Sequence, residues 1–115
     1  MQIRVFDGQI KTSEAELAYI VDRIGTIVGR AFGTAAEVEV RLSDINGPRG
    51  GFDKRCAILV SGPRVRSLRI EKRAKSYYDA IDAAAATLRR ALSKSLERAG
   101  LSVVDGRIRR SPRRR

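Results

Sequence analysis

Residues 37–43, EVEVRLS, alternate strictly: Val38, Val40 and Leu42 share one side, Glu37, Glu39 and Arg41 the other. Successive strand side chains point to opposite faces, so this stretch suits a sheet that is apolar on one face and wet on the other. Such a sheet needs a second layer over its apolar face, and the rest of the chain has to supply it.

The flanking segments do so. Gln2–Phe6 alternates as a short first strand, with Ile3 and Val5 inward and Arg4 and Phe6 outward. Ser13-Glu14-Ala15-Glu16 is a capping box, and Leu17, Ile20, Val21, Ile24, Ile27, Val28 and Ala31 follow at helical spacing, with Gly33 as the stop. Gly25 and Gly29 weaken this helix but allow close packing. Lys54–Ser61 reads as a third strand with Cys56, Ile58 and Val60 inward. Gly62-Pro63 turns into a fourth, Val65–Glu71, with Leu68 and Ile70 inward. A second helix starts near Ser76. Tyr78, Ile81, Ala85, Leu88 and Leu92 form its apolar stripe, the alanines 83–86 allow close approach to the sheet, and Gly100 terminates it. The order β-α-β-β-β-α predicts an α+β two-layer sandwich, a four-stranded mixed sheet with both helices on one face. Residues 1–100 form one domain in this reading, and 101–115, ending in RIRRSPRRR, a flexible basic tail.

Charge narrows the function. The 115 residues carry 24 Lys plus Arg against 13 Asp plus Glu, net +11, with one Cys and no His. That composition excludes Cys/His zinc clusters, a disulfide and Ser-His-Asp chemistry. Neither a membrane-length apolar run nor a signal-peptide apolar run is present, so the reading is cytoplasmic, without membrane partner, small-molecule substrate, metal or cofactor. Residues 1–46 are net −2, residues 47–103 net +8 and residues 104–115 net +5. An oriented basic surface of this kind points to a polyanion.

Three places can carry function. Arg89, Arg90, Lys94 and Arg98 lie outside the apolar stripe of the second helix, with Lys72, Arg73 and Lys75 at its entrance. Such residues grip a nucleic-acid backbone without reading sequence, or simply form a solvated basic face. Asn46–Gly51 is dense in turn residues. Its glycines, Gly50 and Gly51 among them, can turn N–H groups toward an anion, with Arg49 adding a fork, or merely connect two strands. Asp44 and Asp53 flank that loop, where they fix its geometry or pair with Arg49, Lys54 or Arg55. The outer sheet face offers only Phe6 as a stacking platform, and Glu37 and Glu39 repel phosphate there. Cys56 shares the parity of Ile58 and Val60 and reads as a small core residue. Asp79 and Asp82 suit the start of a helix.

VEVRLSDINGPRGGFDKRCAILV at 38–60 and SYYDAIDAAAATLRRALSKSLER at 76–98 resemble the ribosome hibernation factors, also described as the sigma-54 modulation family. The resemblance covers about residues 1–98. Gly50-Gly51, Asp53-Lys54-Arg55-Cys56 and Tyr78-x-Ala80-Ile81-Asp82 carry it. It implies a non-enzymatic translation inhibitor that binds the small ribosomal subunit and its 16S-type rRNA between head and body. There it would exclude messenger and transfer RNA from the A and P sites. The C-terminal dimerisation domain of long members has no room in this length, so the resemblance leaves two outcomes, a partner ribosome in a hibernating dimer or the blocking of single ribosomes only. Carried onto this chain, Arg49, Lys54, Arg55, Lys72, Arg73, Lys75, Arg89, Arg90, Lys94 and Arg98 are the expected rRNA contacts. Tyr78, Ala80, Ile81 and Asp82 would seat the last helix. The first helix offers only Arg23 and Arg30, fewer cations than many members carry. A general RNA-binding or RNA-chaperone module, and a structural or protein-interaction domain, are the competing readings.

Overall fold

A computed structural model of the chain describes residues 1–8, 11–45, 53–62, 65–104 and 107–110. Strand β1 (Gln2–Phe6) leads to helix α1 (Glu14–Phe32), then to β2 (Glu37–Asp44), β3 (Lys54–Gly62), β4 (Val65–Ala74) and helix α2 (Tyr77–Arg98). The four strands form one sheet in the order β1-β2-β3-β4. β1 lies parallel to β2, and the later neighbours are antiparallel. This is the β-α-β-β-β-α sandwich that the alternation predicts.

Each helix begins where the sequence places a cap. Ser13 Oγ accepts from the Glu16 N–H at 3.1 Å while Glu16 Oε1 accepts from the Ser13 N–H at 2.9 Å. Ser76 Oγ accepts from the Asp79 N–H at 3.1 Å. At the other end of α1, Gly33 takes φ +58 and its N–H returns to the Gly29 carbonyl.

The apolar face forms as read. Val38, Val40, Leu42, Cys56, Ile58, Val60 and Ile70 are buried against Ile20, Ile24 and Val28 of α1 and Ile81, Ala84, Leu88, Leu92 and Leu96 of α2. Gly25 is buried too, and a Cβ there would lie 3.4 Å from Ile3 Cδ1, which is why α1 can sit this close to the edge strand.

Three details depart from the sequence reading. β4 runs past Glu71 to Ala74, because its last residues pair with the start of β3: Cys56 with Lys72, Arg55 with Arg73 and Lys54 with Ala74. Tyr77, not Tyr78, packs on the core; Tyr78 is 40% exposed. The two positions precede Ile81 by four and three residues, and helical spacing admits either onto the stripe.

The third concerns the segment expected as a basic tail, part of which has strand backbone. Gly100, at φ +71, turns the chain off α2 into an antiparallel hairpin of β5 (Leu101–Val104) and β6 (Arg107–Arg110). β5 contacts α2 and β6 contacts α1. Leu101 enters the core, and in the hairpin register Val103 lies opposite Ile108. Arg113, Arg114 and Arg115 lie outside the described residues, as do Asn46–Gly51.

Candidate nucleic-acid interface

Helix α2 divides its residues by face. Ala80, Ile81, Ala84, Ala85, Leu88, Leu92 and Leu96 are buried, which leaves Arg89, Arg90, Lys94 and Arg98 exposed on the other side. Among the described residues none of these four has an ion-pair partner. Arg90 Nη2 donates to Thr87 Oγ1 at 3.3 Å on its own helix. Arg90, Lys94 and Arg98 recur every four residues and, fixed on a packed helix and unneutralised, form a row of cations suited to successive phosphates, while Arg89 turns about 100° away, toward α1.

The other expected contacts do not join that row. Lys72 and Arg73 are neighbours on β4 and project to opposite sheet faces: Lys72 shares the core-facing register of Cys56, and Arg73 the outer register of Arg55. Lys75 is exposed just before α2. Since α2 rises about 1.5 Å per residue, this entrance lies roughly 30 Å along the helix from Arg98. Arg55 is on the outer face, where its Nε donates to Ser43 Oγ at 2.8 Å and its Nη1 lies 3.8 Å from Glu71. Arg49, Gly50 and Gly51 lie outside the described residues.

Lys54 is committed to the protein itself. Its Nζ lies 2.8 Å from Asp44 Oδ2 and 3.3 Å from Asp53 Oδ2, and 5.9 Å from the centre of the Tyr77 ring. The hydrogen bond to Asp44 is the main reason its pKa is raised. Asp53 is only 1% exposed, and the Ile45 N–H donates to its carbonyl at 2.8 Å, closing the two strands at the base of the Gly-rich loop. The carboxylates that flank the loop are thus its anchor, with Lys54 between them. Asp53 Oδ1 and the Tyr77 hydroxyl are buried without a hydrogen-bond partner among the described residues, and burial raises the Tyr77 pKa.

Asp82 ties α2 to α1. It accepts from the Tyr19 hydroxyl and lies 3.3 Å from Arg23 Nε, and the Tyr19 and Tyr78 rings meet edge-on at 5.0 Å. The bond to Asp82 holds the Tyr19 phenol above its ordinary pKa. Of the motif residues, Ala80 and Ile81 are in the core, while Tyr78 and Asp82 meet α1 through Tyr19 and Arg23. The partner of Asp82 was beyond the reach of sequence reading, since Tyr19 is 63 residues away.

Arg23 and Arg30 line the same groove between the helices as Arg89 of α2. The outer sheet face is unsuited to stacking. Phe6 is 40% exposed, but the Arg41 guanidinium lies 4.6 Å over its ring, and Glu39, Arg41, Arg55, Arg69 and Glu71 pair among themselves.

The described residues hold no group of three or more His, Cys, Asp or Glu side chains that could bind a metal ion, and no catalytic arrangement. Burial pushes the lone thiol, Cys56, up to about 12, away from any nucleophilic role at neutral pH. No helix among them is long and apolar enough to cross a membrane.

A two-layer α+β domain with a cationic helix face is the class these features define. Residues 3–99 match the family described as sigma 54 modulation protein / S30EA ribosomal protein, and the chain belongs to that family of ribosome-associated, hibernation-type proteins. Its fold is similar to that of the Thermus thermophilus Protein Y N-terminal domain, with a TM-score of 0.67 at 21% identity over 82% of this chain and 98% of that one. A ribosomal subunit interface protein from Coxiella burnetii is similar at a TM-score of 0.66 and 16% identity, over 82% of this chain and 96% of that one. No curated protein sequence matches it.

Proposed function

We propose that this chain is a cytoplasmic translation inhibitor that binds the small ribosomal subunit in the messenger and transfer RNA channel and blocks the A and P sites by occupying them. Residues 1–100 are the ribosome-binding unit. The observation that carries this reading is the set of cations on α2, Arg89, Arg90, Lys94 and Arg98, exposed and unpaired among the described residues, in a chain of a ribosome-associated family. Phosphate attraction would hold the domain on rRNA, and its folded bulk would exclude the competing RNAs. No bond is made or broken.

The test is competition on purified small subunits. The protein should co-sediment with them, and pre-bound initiator transfer RNA or messenger should displace it. Binding that ignores both competitors, together with equal affinity for unrelated structured RNA, would identify a general RNA-binding module instead.

A further inference from the structure

The groove between α1 and α2 has a volume of about 540 Å³. Ile27 of α1 and Ala86 and Leu92 of α2 supply its apolar floor, and Arg23, Arg30 and Arg89 bring three cations to it against one carboxylate, Asp22. Arg23 already faces Asp82, whereas Arg30 and Arg89 have no ion-pair partner among the described residues. The C-terminal hairpin spans the same two helices, β5 against α2 and β6 against α1, and it follows the segment matched by the family.

We propose that this groove seats one unpaired nucleotide of a single-stranded RNA, its phosphate against Arg30 and Arg89 and its base on the Ile27, Ala86 and Leu92 floor. The proposal rests on the RNA-binding reading above and assigns it a second, chemically different contact. Three considerations select the occupant. Three arginines against one carboxylate leave the groove net cationic, which favours an anion. The floor is apolar and its volume suits a small-molecule-sized group, so the anion carries a flat apolar body. A duplex keeps its bases stacked inside and meets a protein with sugar and phosphate, which would leave the floor empty, whereas a single strand can splay a base outward. The row on the outer face of α2, by contrast, needs only phosphates.

The readout is the ratio of affinities for a short oligouridine and a blunt RNA duplex, measured by fluorescence anisotropy at fixed salt. Ala86→Leu fills the floor and should lower that ratio about tenfold, the loss expected when a base can no longer be buried. Arg30→Gln with Arg89→Gln should lower it as well, and this exposed pair serves where the leucine disturbs packing. Arg90→Gln with Lys94→Gln should weaken both ligands and leave the ratio within about twofold. Melting curves establish that each variant is folded.

An unchanged ratio in both groove variants overturns the proposal. So does uridine monophosphate binding as tightly as the oligomer, which would make the occupant a free nucleotide. Co-sedimentation with small subunits is scored separately on the unaltered protein. If it binds subunits without preferring the oligouridine, the groove assignment falls and the ribosome reading stands. A groove-dependent preference without subunit binding gives the reverse.

Discussion

The ring of Phe32, the last residue of α1, lies directly on the backbone of Gly62 at the end of β3: a Cβ at residue 62 would fall 2.8 Å from its Cε1 and Cζ atoms. Gly62 is required here for the space it leaves, beside the register shift between Val60 and Gly62. Gly62→Ala should therefore destabilise the fold by about 1–3 kcal/mol, the range for overpacking a closed site. Urea unfolding would show the lower midpoint. Combining it with Phe32→Leu should cost less than the two changes added together, because the smaller side chain frees the same space. Strict additivity would mean that the contact is not what Gly62 serves.

Lys54 distinguishes a structural cation from an RNA contact. Its ammonium sits between Asp44 and the buried Asp53, so Lys54→Ala removes the partner of a carboxylate that has little water to replace it. The variant should melt at a clearly lower temperature. Where it remains folded, its affinity for small subunits should stay within about twofold of the parent. A large affinity loss at unchanged melting temperature would return Lys54 to the RNA-binding set.

Cys56 gives the fold a signature at high pH. Burial raises its thiol from the ordinary 9.0 to about 12, so the unfolded chain ionises at a pH where the folded one does not. The stabilisation is complete below pH 9 and is lost as pH rises from about 9 to 12. Cys56→Val should flatten the decline of stability over that window. At neutral pH the thiol should react with alkylating reagents only as fast as the chain opens, and rapid modification of the native protein would contradict its placement in the core.

The legibility of the sequence followed the range of the interaction. Period-two alternation in 37–43 and the Ser13/Glu16 box are local signals, and both returned the elements and faces they predict. Helical spacing alone could not choose between Tyr77 and Tyr78, because the choice depends on where the sheet lies beneath α2. Pairings of distant residues, Tyr19 with Asp82 and Phe32 with Gly62, left no trace in the local pattern, and neither did the groove that gathers Arg23, Arg30 and Arg89. At the candidate site, exposure of the α2 cations was readable from the apolar stripe. That Lys72 and Arg73 point to opposite faces followed only from how far β4 extends.

The exposed face of α2 makes a quantitative claim on salt dependence. Each phosphate contact releases condensed counterion, so the logarithm of affinity falls with the logarithm of salt by about 0.7–0.9 per contact. Replacing Arg89, Arg90 and Lys94 together with Ala removes three exposed cations and none of the core, so the melting temperature should change little. Affinity for small subunits should fall at least tenfold at low salt, and the slope should become shallower by roughly 2. Sedimentation of subunits with the variant across a salt series measures both. A loss of affinity with an unaltered slope would mean that the three residues act through something other than phosphate, and unchanged binding at every salt would move the ribosomal contact off this face.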